Sequence, residues 1–268
     1  MNKTVKNKVT ICIVNYKTEE LTRLCLRSIR KFTKYPHEVI VVDNNSGDKS
    51  LDYLRTVPWI KLIERPDFYT SSGSTAQGTA LDIGLENCNT EFFLAMHTDT
   101  IVHKNGWLEW LVSQVNSSDK MACAGSGKLD LKPKWEVLLK QATDVKAWIK
   151  SKNIDNPRKL KFYIRAICAI YKTDILKEEK LSFTMSVNEG MTCAKQLYFE
   201  LLDRGYETNA ISEFKMAEII YHLAHATMVI NPEFEIKNKT EKKCKAKMEK
   251  LFNSPMIQNV LSDDSLDQ

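Results

Sequence analysis

His97 and Asp99, two side chains able to ligate a cation, stand two residues apart in "LAMHTDTIV", at the end of an apolar run with strand character. In an extended segment, residues i and i+2 project to the same side, so the imidazole and the carboxylate can converge on one ion or one phosphate. The competing structural reading makes His97 a polar cap of the strand end. Two further imidazoles, His222 and His225, follow another apolar run in "IIYHLAH". They are read either as ligands or as packed core residues. The seven cysteines are scattered, with no C-x-x-C spacing. That pattern argues against a zinc or disulfide framework and for free thiols in a reducing compartment.

The elements that must position these groups follow from hydrophobic period. The first half alternates short apolar runs ("VTICIVNY", "HEVIVVDNNS", "WIKLIE", "TEFFLAMHTD") with helical patterns ("TEELTRLCLRSIRKF", "DKSLDYLRTV", "STAQGTALDIGLENC"). Such alternation predicts βαβ units: an α/β fold with a mainly parallel sheet flanked by helices. Thr18 reads as a hydroxyl N-cap, with Glu19 and Glu20 at the positive end of the helix, and Leu21, Leu24, Leu26 and Ile29 as its apolar stripe. Ligands of open sheets bind outside the carboxyl ends of the strands. The positions to inspect are therefore Asn15 and Tyr16, Asp43 to Asp48, the loop Arg65 to Gly78, and His97 to Thr100.

Beyond this half, "NGWLEWLVSQV" predicts a helix and "MACAGSG" a strand, and Lys128–Lys161 reads as an insertion or lid. Strand character returns in "KFYIRAICAIYKTDIL". "EGMTCAKQLYFELLDRGY" predicts a helix with Met191, Ala194, Tyr198 and Leu201 on one side and Gly205 as its stop. "MAEIIYHLAHATMVI" is read as a strand that delivers His222 and His225 near its end.

The chain has 268 residues and a formal charge of +5, with no run long enough to span a bilayer and no signal-type segment, so a cytoplasmic location is expected. Lysines concentrate between Lys237 and Lys250, and the last residues, "SDDSLDQ", are acidic. The lysine run is read as a solvated helix face, with peripheral contact to an anionic membrane as the alternative. Without interleaved aromatics it gives no support for nucleic-acid binding. "VNYKTEE" contains no glycine, which removes a Rossmann-type dehydrogenase.

The order "VTICIVNYKTEELTRLCLRSI", "VIVVDNNSGD", "ALDIGLENCNTEFFLAMHTDT", "NGWLEWL" resembles the nucleotide-sugar-dependent glycosyltransferases of family 2, with the GT-A fold. The resemblance implies a donor-binding half over residues 1–127, an acceptor-binding half over 128–236, and a basic C-terminal helix with an acidic tail over 237–268. It implies nucleoside contacts at Val14, Asn15, Tyr16, Asp43, Asn45 and Ser46, with Asp48 completing the family's loop pattern. A carboxylate suits a uracil-type N–H because it only accepts. Asp82, before Gly84, and the backbone of "SSGSTAQG" are expected near the diphosphate.

In this family an Asp-x-Asp motif brings a divalent ion to the sugar diphosphate; here "HTD" occupies its place, with Asp99 as the second acid, His97 replacing the first and Thr98 between them. The expected cofactor is Mn²⁺ or Mg²⁺, with the imidazole tilting the choice toward Mn²⁺. Alternatively, His97 bonds the donor and Asp99 alone holds the metal. His222 matches the histidine that closes the site. The catalytic base is expected to be an acid ahead of the "RGY" helix, which leaves Glu189; Asp203 lies late in that helix and reads as a surface residue. The implied activity is an inverting, metal-dependent transfer from a nucleotide-diphosphate sugar, UDP-sugar favoured, to a hydroxyl acceptor in cell-surface polysaccharide or lipopolysaccharide synthesis. The second hypothesis, prompted by the missing first acid and the displaced base, is a binding protein of the same fold without turnover.

Overall fold

The computed structural model describes residues 4–127, 129 and 162–268. Alternation along β1 (Val5–Asn15) shows how its layers form. Val9, Ile11 and Ile13 enter one apolar cluster, with Leu21, Leu24, Cys25 and Ile29 of α1 (Glu19–Phe32), while Cys12 enters a second, with Ala80, Leu81 and Leu85 of α3 (Gly73–Glu86). Successive side chains on a strand point to opposite faces, so one central strand supports two helical layers. The approach of α3 is close. A Cβ at Gly84 would lie 2.2 Å from Cys12 Sγ, which only glycine avoids.

Between these elements lie β2 (His37–Asp43), α2 (Lys49–Thr56) and β3 (Ile60–Glu64), followed after α3 by β4 (Thr90–His97), β5 (Thr100–Val102), α4 (Trp107–Val115) and β6 (Met121–Gly125). The expected insertion or lid, Lys128–Lys161, lies outside the described residues except for Leu129. The chain then forms β7 (Cys168–Lys172), α5 (Thr173–Glu178), a 3-10 turn (Val187–Glu189), α6 (Lys195–Asp203), β8 (Glu207–Ala210), α7 (Glu213–Met216) and β9 (Ile220–His222). It ends in α8 (Ala226–Ile230), α9 (Asn238–Phe252), α10 (Pro255–Leu261) and a 3-10 turn (Asp264–Asp267).

Among the described residues the main sheet has the order β3-β2-β1-β4-β7-β6-β8, and β5 pairs with β9 separately. β7 runs antiparallel to both β4 and β6; the other pairings in the main sheet are parallel. The mainly parallel α/β architecture is as expected. The sheet crosses the expected boundary at residue 127, because β6 precedes it and its partners β7 and β8 follow.

Three local expectations are corrected. Thr18 is the first-turn flanking residue of α1, but its hydroxyl makes no backbone cap. It donates sideways to Asn15 Oδ1 and Thr98 Oγ1, both 3.3 Å away. The helix before "RGY" is shorter than its apolar pattern: Ala194 has φ +64, so α6 begins at Lys195, and Met191 lies outside it. Gly205, at φ +81, supplies the expected stop. Finally, "MAEIIYHLAHATMVI" divides into a helical turn, the three-residue strand β9 and α8; His222 ends the strand, whereas His225 is exposed at φ +74 before α8.

The acidic tail is not loose. Arg27 of α1, 1% exposed, donates Nε to Asp267 at 2.9 Å and Nη2 to Asp264 at 2.6 Å, and it also reaches the Leu261 carbonyl. Tyr53 donates to Asp267 at 2.7 Å, and Trp59 Nε1 to the Leu266 carbonyl at 3.1 Å. The tail thereby closes over α1 and α2.

Candidate active site

Parallel pairing of β1 with β4 sets Val14 opposite His97, so the two strands end at the same sheet edge. The chain turns there through Thr98 and Asp99 into β5. Pairing of β5 with β9 places Thr100 opposite His222, and Leu223 N donates to the Asp99 carbonyl at 3.0 Å. This register joins an imidazole more than a hundred residues distant to the "HTD" segment.

His97, Asp99 and His222 form a cluster whose candidate ligand atoms all lie within 4.8 Å of one another. Asp99 Oδ1 is 3.3 Å from His222 Nε2 and 3.6 Å from His97 Nδ1. Asp99 and His222 are buried, and Asp99 Oδ1 has no hydrogen-bond partner among the described residues. Burial works to raise the Asp99 pKa, but the facing imidazoles of His222 and His97 outweigh it and hold the carboxyl well below its usual range.

Second partners orient both rings. His222 Nδ1 lies 2.6 Å from the Leu129 carbonyl, an acceptor only, which assigns the proton to Nδ1. With Nδ1 alone protonated, His222 turns its Nε2 lone pair toward a carboxylate oxygen, whereas a proton on Nε2 as well supplies the positive charge that lowers the Asp99 pKa. Two acceptors this close call for a proton or a cation between them, and a histidine whose other nitrogen donates to a carbonyl is the usual arrangement of a metal ligand. His97 Nε2 contacts the side-chain amide of Gln77, from the first half of α3. Two imidazoles and a carboxylate therefore fit a divalent transition ion better than an all-oxygen set would.

The neighbouring residues expected at the nucleoside are mostly turned inward. Asn15 is 0% exposed; its Nδ2 reaches Asp43 Oδ1 at 2.6 Å and Ser50 Oγ at 2.9 Å, and its Oδ1 accepts from Thr22 at 2.7 Å. Asp43, 1% exposed, also accepts from the backbone and the hydroxyl of Ser46. These side chains shape the Asn44–Gly47 loop, and their hydrogen bonds run within the protein. Asn45, exposed at φ +55, projects from that loop, and Asp48 caps α2 through Ser50 N at 3.1 Å. Val14 is half-buried at the strand end, and Thr98 is buried.

Tyr16 and Lys17 meet the connection between α8 and α9: Glu233 accepts from Tyr16 OH at 2.9 Å and from Lys17 Nζ at 3.0 Å. Asp82 lies on α3, the helix that carries Gln77. It accepts from Ser182 Oγ, Phe183 N and Thr184 Oγ1 at 2.7 to 2.8 Å, tying α3 to the segment that leads into the Glu189 turn. Glu189 is exposed, between Ser186 and Gly190, both at positive φ. His225 does not join the cluster. Gln77, the Leu129 carbonyl and Glu233 were not singled out from sequence, because each matters through a contact made across the fold.

The sequence pattern of "Glycosyl transferase family 2" matches residues 10–179. No curated protein sequence matches. Among solved structures, S. aureus TarS 1-349 has 15% identity and a TM-score of 0.52, with 96% of this chain and 75% of that chain covered. The same protein in complex with UDP-GlcNAc has 14% identity and a TM-score of 0.50, with 95% and 70% covered. Mannosyltransferase PcManGT from Pyrobaculum calidifontis, in complex with GDP-Man and Mn²⁺, has 14% identity and a TM-score of 0.52, with 96% and 74% covered. At these identities the structural likeness speaks for the fold, GT-A, while the family pattern spans β1 through α5 and most of the residues just described. The chain belongs to glycosyl transferase family 2 and is a glycosyltransferase.

Proposed function

We propose that the protein transfers a glycosyl group from a nucleotide-diphosphate sugar, with a UDP-sugar as the favoured donor, to a hydroxyl acceptor, with inversion at the transferred carbon. The observation that carries this reading is the orphaned Asp99 Oδ1, held between two imidazoles at the carboxyl edge of the sheet in a family 2 chain. Asp99 and His222 would hold a divalent ion, Mn²⁺ before Mg²⁺, with His97 as third ligand or as a donor to the diphosphate. Such an ion supplies positive charge that offsets the negative charge developing on the departing diphosphate.

The chain's own groups do the rest. The Asn44–Gly47 loop, shaped by Asn15 and Asp43, and Val14 and Tyr16 at the end of β1 form the nucleoside side. Glu189 accepts the acceptor's hydroxyl proton as that oxygen attacks the sugar carbon. Cell-surface polysaccharide or lipopolysaccharide assembly is the process proposed. Peripheral contact through the exposed lysines of α9 with an anionic membrane is part of the same reading; no helix among the described residues is long and apolar enough to cross a membrane.

Calorimetric titration of UDP and GDP with Mn²⁺, with Mg²⁺ and with chelator tests the donor and metal parts together. Wild type is expected to bind one of them only with a divalent ion, and Asp99→Ala to bind neither. Equal binding by wild type and Asp99→Ala under chelation would remove the metal from the reading.

A further inference from the structure

We propose that Gln77 is the positioning residue that makes His97 a metal ligand: its side-chain Oε1 accepts the proton on His97 Nε2 and so leaves the Nδ1 lone pair facing Asp99. The inference rests on the metal-dependent reading above and deepens it, because it decides between the two roles open to His97.

Each imidazole of the cluster has one nitrogen turned inward and one outward. Inward, His222 Nε2 lies 3.3 Å and His97 Nδ1 3.6 Å from Asp99 Oδ1, the oxygen with no hydrogen-bond partner among the described residues. Outward, His222 Nδ1 meets the Leu129 carbonyl at 2.6 Å, and His97 Nε2 meets the Gln77 amide. Which ring nitrogen ligates is set by the bond the other one makes. A carbonyl only accepts, so Leu129 commits His222 to a single arrangement.

A carboxamide carries an acceptor and a donor on one planar group, so Gln77 can commit His97 either way. The contact in the structure runs through the amide nitrogen, and a half-turn about the terminal bond exchanges it for Oε1. With the nitrogen toward the ring, His97 carries its proton on Nδ1, where 3.6 Å to Asp99 Oδ1 is too long for a hydrogen bond. With the oxygen there, His97 Nδ1, His222 Nε2 and Asp99 present three lone-pair atoms, all within 4.8 Å of one another. Two imidazole nitrogens and a carboxylate oxygen suit a transition ion.

The helix holds Gln77 in place. Gln77, Leu81 and Gly84 lie at i, i+4 and i+7 of α3, on one face. Leu81 is buried and Gly84 abuts Cys12 of β1, so this face lies on the sheet; one turn earlier it meets the end of β4, where a polar side chain finds His97. The turn around Gln77 is clamped. Asn44 Nδ2 donates to the Ala76 carbonyl at 3.1 Å, Arg65 Nη1 donates to Thr79 Oγ1 at 3.0 Å, and a Cβ on Gly78 would lie 2.8 Å from Thr184 Cγ2. An outer partner anchored in this way fixes the orientation of the ring it bonds.

The test is binding of Mn²⁺ alone, followed by the electron paramagnetic resonance signal of the free ion, to wild type, Gln77→Leu, Gln77→Glu, Asp99→Ala, and His97→Ala with and without Gln77→Leu. Melting temperatures confirm that each variant is folded. Glutamate keeps an acceptor without the amide donor, whereas leucine keeps the bulk and neither. Gln77→Leu is expected to weaken Mn²⁺ binding about tenfold or more, and Gln77→Glu to bind at least as tightly as wild type. Once His97 is alanine, Gln77→Leu should cost nothing further. Spin-echo modulation of the bound ion should show nitrogens of two imidazoles in wild type and of one in Gln77→Leu. Weakening by Gln77→Glu as well would make the amide a packing group, a loss from Gln77→Leu that persists beside His97→Ala would mean that it does not act through His97, and unchanged or tighter binding by Gln77→Leu would mean that Nδ1 keeps its proton. Each of these overturns the proposal and leaves the metal reading intact. Failure of wild type to bind Mn²⁺, or equal binding by Asp99→Ala, overturns that reading and this proposal with it.

Discussion

Asp99 shows what a single buried oxygen implies. The facing imidazoles lower its carboxyl pKa, yet Oδ1 has no hydrogen-bond partner among the described residues. An unsatisfied buried acceptor costs about 1–3 kcal/mol, more when charged, so its retention beside two further ligating atoms has a chemical rather than a packing explanation. Glu189 is the contrasting carboxylate. It is exposed, so its substitution should cost rate and not stability. Glu189→Gln is expected to lower turnover by about 10²–10⁴-fold, the range of a general base, without changing donor affinity or melting temperature. Transfer by Glu189→Gln at the wild-type rate would move the base elsewhere.

At the scale of elements, the site depends on how closely α3 lies on β1. Gln77 from this helix reaches His97, and Asp82 from the same helix anchors the segment ahead of Glu189. Gly84 sets the distance. Gly84→Ala would gain up to about 1 kcal/mol of helix propensity. Overpacking against Cys12 Sγ should exceed that gain, for a net loss of about 1–2 kcal/mol. Adding Cys12→Ala removes the sulfur in the way, so the double variant should recover stability relative to Gly84→Ala in urea unfolding. Simple additivity of the two losses would show that the contact does not set the helix position.

At the scale of the molecule, the last turn of the chain clasps one of the first helices. Breaking one side of a buried ion pair costs about 3–5 kcal/mol. Arg27→Ala is expected near the lower end, because Asp264 is largely exposed and can rehydrate. The clasp also sets a pH dependence. Burial tends to raise the Asp267 pKa, but hydrogen bonds from Arg27 and Tyr53 win and depress it. A group with a depressed folded pKa stabilises fully above its unfolded value, near 4, and loses that contribution as pH falls through the folded pKa. Unfolding free energy should therefore decline below about pH 4. Asp267→Asn should shallow that decline while lowering stability at neutral pH; an unchanged acid slope would show that Asp267 does not titrate as described.

Period and strand-end chemistry in the sequence were enough to define the first half of the fold: alternating apolar runs and amphipathic helices gave its βαβ units, and β1, β2 and β4 end where Asn15, Asp43 and His97 predict. The His97–Asp99 juxtaposition was legible because the two residues are close along the chain, although it is made across a turn and not along an extended strand. Roles that depend on distant partners were not. Asn15 and Asp43 look ligand-facing from their place at strand ends, yet their hydrogen bonds run inward; α6 starts late because Ala194 adopts a left-handed backbone conformation that no residue type announces. His222 reaches Asp99 only through the β5–β9 register. Local preference acts over a few residues, whereas a ligand set or an unbalanced charge is a property of which surfaces meet, and tertiary packing alone decides that.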